Sequence, residues 1–229
     1  MVSKLKLTIV VDNVPSPGLM YDWGLSIYVE SDNIRAIFDA DTNPNVMAYN
    51  LERLNIDIGK LDFGVLSHDH HDHYGGYEYI SKYVSNLRVY VPPGAARSIE
   101  RYGLKPCVIE RPQEVAKGIY IIGPFEAWSG FYEISMVIRV REKGLILLVG
   151  CSHPGIDKIA RTARELLNDE IYHVIGGFHR PSHRMVDYLA SIARYISPSH
   201  CSGDDIREYV KRKYPEKYRE IRTGSVIEY

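Results

Sequence analysis

The sequence predicts an α/β protein in which β-sheets are covered by helices. Short segments rich in Val and Ile open the chain, and strand-like and helix-like segments alternate through its last third. Size adds a third indication. The 229 residues, 45% hydrophobic and 25% charged, suit one domain spanning 1–229 that buries a substantial core without disulfides.

Leu5 to Val11, Leu25 to Glu30 and Ile34 to Phe38 read as strands of a β-meander, separated by Pro, Gly, Asp and Asn. Val46, Met47, Leu51 and Leu54 fall at helical spacing and predict a helix over Asn43 to Leu54. Phe63 to Leu66 then predicts a short buried strand that runs straight into SHDHHDHYGG. Tyr77 to Tyr83 reads as a helix and Arg88 to Val91 as a strand, with Pro92, Pro93 and Gly94 as punctuation before another helix. Residues 105 to 123 read as short strands. Ile134 to Val140 and Leu145 to Val149, joined by REKG, predict a hairpin ending in GCSHPG, the loop that opens a helix over Ile156 to Leu167. A strand Ile171 to Ile175 ends in GGFH. It is followed by a helix Met185 to Tyr195, the segment ISPSHCSG, a helix Asp205 to Lys213 and a closing strand Ser225 to Tyr229. The sequence carries no internal repeat, low-complexity tract or obvious linker.

Lys and Arg number 28 against 29 Asp and Glu, so net charge supplies no attraction for nucleic acid or an anionic membrane. Neither is expected as a partner, which leaves a small molecule. Cys107, Cys151 and Cys201 are odd in number and widely spaced, against a secreted disulfide framework and for a cytoplasmic protein. The first residues alternate like a strand rather than a signal peptide, and no apolar run is long enough to span a bilayer. Eighteen Tyr and abundant Ile, Arg and Glu point to a thermophilic source.

The chemistry lies in the loops. Four of the nine histidines fall between Ser67 and Tyr74, beside Asp69 and Asp72. In an extended loop His68 and His70 project to the same side and reach one ion, while Asp72 and His73 carry ligands to a neighbouring ion. His71 stands between ligands as a bystander or as an outer partner of one of them. His153, just past a strong strand and before a helix, is the next ligand candidate and completes a three-histidine site with His68 and His70. Cys151 reads either as a thiolate ligand or as a buried core thiol. His179 and His200 each end a strand. His179 is preferred for the metal and His200 for substrate contact or proton transfer. His173, inside a strand, and His183, near a helix start, receive no role.

HDHHDH resembles the HxHxDH signature of the metallo-β-lactamase superfamily. IFDAD at Ile37 to Asp41 is similar to that superfamily's early strand ending in an acidic residue, with Asp39 bracing the metal loop. VVDN at Val10, DWGLSIYVE at Asp22, HYGG at His73, GCSHPGI at Gly150, GGFH at Gly176 and HCSG at His200 resemble the dihydropteroate-synthase-like subfamily. Some of its members are dihydropterin-ribofuranosylaminobenzene-phosphate synthases of methanopterin biosynthesis. The resemblance covers nearly the whole chain and implies a four-layer αββα sandwich with metals at one edge between the sheets. In many relatives a bridging Asp stands where this chain has Cys151.

The expected cofactor is two zinc ions, with iron or manganese as alternatives. The expected activity is hydrolysis of an ester, phosphoester or related bond by metal-bound hydroxide, with Asp72 steering the proton. The helix after GCSHPG points its N-terminus at the site, which favours an anionic substrate. Two other readings stand beside it. One is a transferase joining a dihydropterin-methyl diphosphate to ribofuranosylaminobenzene phosphate. The other is a metal or redox sensor without turnover, which Cys151 and Cys201 would serve.

Overall fold

The computed structural model describes residues 1–32 and 34–229. Strands β1 (Leu5–Val11), β2 (Ser26–Ser31) and β3 (Ile34–Phe38) lead into helix α1 (Pro44–Arg53) and β4 (Phe63–Val65). Helices α2 (His71–Tyr74) and α3 (Tyr77–Ile80) follow, then β5 (Arg88–Val91), α4 (Ala96–Glu100) and β6 (Lys105–Val108). The second half opens with β7 (Gln113–Ala116), β8 (Ile119–Trp128), β9 (Phe131–Val140) and β10 (Gly144–Val149). It continues through α5 (Ile156–Leu167), β11 (Ile171–Gly177), α6 (His183–Ile192), β12 (Ala193–Ser199), α7 (Asp204–Lys213) and β13 (Val226–Glu228).

Two sheets result, a seven-stranded one in the order β13-β1-β2-β3-β4-β5-β6 and a six-stranded one in the order β12-β11-β10-β9-β8-β7. Each begins as an antiparallel meander and turns parallel where helices enter the chain, at β3 to β6 and at β10 to β12, since a parallel connection needs a crossover. Strand β10 shows why the apolar runs are continuous. Ile146 and Leu148 pack between the sheets, while Leu145, Leu147 and Val149 pack under helices, so period-two alternation buries both faces.

Three apolar clusters mark the three interfaces of a four-layer αββα sandwich. Leu7, Ile9, Ile27 and Phe38 meet Ile121, Met136 and Ile138 between the sheets. Val46, Met47, Leu51, Tyr77 and Ile99 cover Ile37 and Val89 of the first sheet. Ile159, Ala163, Val186, Leu189 and Val210 cover Val137, Val174 and Ile196 of the second. The expected architecture is the observed one. Asn43 caps α1 with Pro44 in its first turn, and Ser182 caps α6.

Boundaries moved where local spacing competed with sheet pairing. The predicted helix Met185 to Tyr195 ends at Ile192, and Ala193 to Ser199 is a strand paired in parallel with Ile171 to Gly177. Leu189, Ile192 and Tyr195 fit helical spacing, but the open edge of β11 captures the chain from Ala193 onward. Likewise the Tyr77 to Tyr83 helix stops at Ile80. Among the described residues no helix is long and apolar enough to cross a membrane.

Candidate metal centre

The carboxyl ends of β1, β3, β4, β10, β11 and β12 gather at one edge of the sandwich, where α/β folds place their ligands. Backbone strain collects there too. Asp39, Asp41, Ser152, His179, Arg180 and His200 all have φ between +46° and +62°, a region unfavourable for non-glycine residues. The histidine loop is pressed against its neighbours. A Cβ on Gly76 would lie 2.2 Å from the Ala40 carbonyl oxygen, and one on Gly150 would lie 2.1 Å from Ser67 Oγ, so both positions need glycine for close approach.

Two groups of candidate ligands share this edge. His68, His70 and His153 form one, with donor atoms within 4.8 Å of one another; Asp72, His73 and His200 form another by the same measure. Cys151 sits beside both, grouped with His68 and His73, its Sγ 3.3 Å from His73 Nε2. The expected division put His179 with Asp72 and His73, whereas the geometry puts His200 there. His200 is turned inward, its backbone N–H donating to Asp12 Oδ1 at 2.6 Å and its Nδ1 lying 3.0 Å from Asn13 Oδ1. His179 is exposed, grouped with Cys151 and Cys201, with its ring 4.4 Å from that of His153.

The hydrogen-bond network fixes the proton on each buried imidazole. Asp39 Oδ2 accepts from Ser67 Oγ–H at 2.7 Å and from His73 Nδ1–H at 2.7 Å. Ser67 Oγ has thereby spent its proton, so it accepts from His68 Nδ1–H at 2.9 Å. His153 Nδ1–H donates to Glu133 Oε2 at 3.1 Å, and His200 Nδ1–H to Asn13 Oδ1. In all four imidazoles Nδ1 is taken by a protein oxygen, which leaves Nε2 as the nitrogen for a metal, the arrangement outer partners impose on metal-binding histidines. These nitrogens face the centre. His68 Nε2 is 3.1 Å from His70 Nδ1, His73 Nε2 and His200 Nε2 lie 3.7 and 3.3 Å from Asp72 Oδ2, and His200 Nε2 is buried without a hydrogen-bond partner. A buried ring nitrogen without a donor is costly unless something else occupies its lone pair. This donor set of imidazole, carboxylate and thiol fits a divalent transition metal.

Electrostatics follow burial and neighbours. Burial, with the nearby His73, His153 and His70, holds His68 well below the usual imidazole range, and His70 is lowered by burial and His153. Burial also opposes charge on His73, but Asp39 outweighs it and lifts the group to about 9. Burial works against an ionised Asp72, yet the close approach of His200 and His73 holds it below the usual carboxylate range. Asp41, beneath the loop, is pushed up to about 7 by burial. The Cys151 thiol is held well above its ordinary range by its contact with Cys201, at 3.2 Å between sulfurs, and by burial.

Sequence reading missed Glu133. It is fully buried, and Oε1 accepts from the backbone N–H groups of Cys151 and Ser152 at 3.1 and 2.7 Å. Its Oε2 accepts from the N–H of His153 at 2.9 Å. One carboxylate thus shapes the whole loop after β10. The only signal was a lone Glu at an inward position of the apolar strand FYEISMVIRV. Asp12 and Asn13, quoted as part of VVDN, hold His200 in the same fashion, and Asp39 braces His73 and Ser67.

No family model matches the chain. It is 31% identical to an uncharacterized protein of Methanocaldococcus jannaschii, over 86% of this chain and 90% of that one. It is 26% identical to the 7,8-dihydropterin-6-methyl-4-(beta-D-ribofuranosyl)-aminobenzene-5'-phosphate synthase of the same organism, over 90% of each. Its fold is similar to the crystal structure of a metal-dependent hydrolase of the beta-lactamase superfamily, with a TM-score of 0.84, 24% identity, and 97% of this chain and 98% of that one covered. Sandwich and loop chemistry together define a protein of the metallo-β-lactamase fold. The chain belongs to one family with that uncharacterized protein of Methanocaldococcus jannaschii, and its fold is that of the metallo-β-lactamases.

Proposed function

We propose that this protein is a metal-dependent hydrolase whose centre holds two ions, one by His68, His70 and His153 and the other by Asp72, His73 and His200, with Cys151 between them. One observation carries the reading: four imidazoles, His68, His73, His153 and His200, each have Nδ1 tied to a protein oxygen and fall into two adjoining groups of candidate donors. Divalent ions held there supply Lewis acidity, polarising a substrate oxygen and making water more acidic at neutral pH. Zinc suits the donor set, and iron or manganese would suit it less well because of the thiol. Relative to the sequence reading, His200 and His179 exchange roles.

The residues themselves position and move protons. Asp72, kept ionised by His200 and His73, is the acceptor for the proton of the attacking water. His179, lifted by its hydrogen bond to Cys201, stands at the rim, where it donates a proton to the leaving group. Asp39, Glu133 and Asn13 hold the imidazoles in the tautomer a cation needs. The protein is read as a cytoplasmic enzyme of one domain, taking a small, anionic molecule and neither nucleic acid nor membrane.

The experiment is a screen of metal-loaded protein against a phosphodiester, a phosphomonoester, a lactone and a thioester. Hydrolysis of at least one, abolished by chelation, is the expected result. No hydrolysis of any of them by metal-loaded protein contradicts it. Similarity to the aminobenzene-phosphate synthase over 90% of both chains favours a second reading, a transferase catalysing the synthesis named for that relative. Product analysis with that relative's substrates separates the two.

A further inference from the structure

Two of the three cysteines meet inside the sandwich although 50 positions separate them in the chain. Cys151 follows β10 and Cys201 follows β12, with β11 between those strands. The side chains meet beside Gly177, the last residue of β11. A Cβ there would lie 2.7 Å from Cys201 Sγ and 3.3 Å from Cys151 Cα, so the glycine clears the space in which the sulfurs approach to 3.2 Å. Thiols that pack this closely are one small side-chain movement from a disulfide bond. Cys107 is half-buried on β6 of the other sheet and takes no part.

Cys151 also touches the metal centre. Its Sγ is 3.3 Å from His73 Nε2, and it shares a group of candidate donors with His68 and His73. Cys201, which directly follows His200, reaches the outside. It lines a cavity of about 520 Å³ that Asn13, Trp23, Arg180 and His200 also border, whereas Cys151 is 4% exposed and forms no part of that wall. A small neutral oxidant entering the cavity therefore meets Cys201 first. The pair connects solvent to the donor set through two sulfur atoms.

We infer that Cys151 and Cys201 form a reversible oxidation site: a peroxide converts them to a disulfide, and the bond withdraws the Cys151 sulfur from the donors beside His73. The Cys201 sulfur attacks one peroxide oxygen, the O–O bond breaks, and the second oxygen leaves as water carrying the thiol proton, which gives a sulfenic acid. The Cys151 sulfur then attacks that of Cys201, the S–O bond breaks, and the hydroxyl leaves with the Cys151 proton as a second water. Two electrons pass from the sulfurs to the peroxide. A disulfide sulfur has no thiolate charge to offer a dication, so the centre loosens its hold on metal until a dithiol restores both thiols by exchange. The loss of metal rests on the two-ion centre; the disulfide rests on the paired thiols alone.

The test treats the zinc-loaded full chain with hydrogen peroxide. Thiols counted after denaturation are expected to fall from three to one, and non-reducing peptide mapping by mass spectrometry to find Cys151 joined to Cys201. A chelating dye is expected to take metal from the oxidised protein that the reduced protein keeps, and dithiothreitol to reverse the loss. Cys107→Ser should behave as the parent. Cys201→Ser and Cys201→Ala should yield no linked peptide and keep their metal through the same exposure, and thermal midpoints matching the parent show that they fold. Absence of the linked peptide in the parent, or a linked peptide without loss of metal, overturns the inference. A chain that forms the link but takes up no zinc even when reduced would sink the two-ion reading and leave the oxidation site; one that binds zinc fully and never forms the link would do the reverse.

Discussion

His68 and His173 are both buried imidazoles on the same sandwich, and they differ in what their second nitrogen meets. In His173, on β11, Nδ1 lies 2.6 Å from the Tyr229 hydroxyl and Nε2 2.8 Å from Ser197 Oγ. Both nitrogens are spent, and the ring is a rivet between strands and the C-terminal residue. In His68 one nitrogen meets Ser67 and the other faces His70. Burial is therefore no guide to ligand character. A second nitrogen that faces other candidate donors rather than a hydroxyl is, together with a partner that fixes the proton on the opposite one.

The sharpest way to break this contrast is Asp72→Asn. The change keeps the shape but removes the charge and the proton acceptor, so turnover should fall by ~100-fold or more. Thermal midpoints of the metal-free parent and variant should barely differ, since Asp72 lies outside the apolar clusters. Near-parental turnover at saturating metal would remove Asp72 from the chemistry.

Glu133→Gln tests the outer partner rather than the ligand. It weakens the hold on His153 Nδ1–H and the loop N–H groups, and should lower metal affinity by about 10- to 100-fold. Competition with a chelating dye measures it. Unchanged affinity would mean that Glu133 only shapes the loop.

His173→Gln is the control from the other region and should leave metal content untouched. It should cost about 1–3 kcal/mol of stability at neutral pH, for the buried partners it disturbs. Its pH signature is distinct. Burial, reinforced by Arg219, depresses the folded-state value of His173 to about 3, while the unfolded chain takes up the proton below about 6.5. Stability is thus complete above that unfolded value and drains away as the pH falls from there toward the folded one. Denaturant midpoints from pH 7 to 4 should drop less steeply in His173→Gln than in the parent; equal slopes would show that another group dominates.

These contrasts show what was legible in the chain. That His68, His70, Asp72 and His73 gather at one edge could be read because one loop carries them in fixed spacing, and the β-meander and later αβ alternation could be read from period-two apolar runs. Glu133 could not, since a carboxylate inside an apolar strand declares its partner only when the 150–155 loop is folded over it. His179 and His200 were not separable, both following a strand end near glycines. What distinguishes them is the grip of Asp12 and Asn13 on His200, and that contact closes a separation of 187 residues. The start of β12 was hidden because Leu189, Ile192 and Tyr195 satisfy a helix equally well.

Whether the inward imidazole nitrogens hold ions is tested most directly by elemental analysis of metal-saturated protein. The parent should hold about two equivalents per chain, since the six ligands proposed for the centre exceed what one tetrahedral ion takes. His153→Ala should lose one of them. At most one equivalent in the parent, unchanged by added zinc, would contradict the two-ion centre.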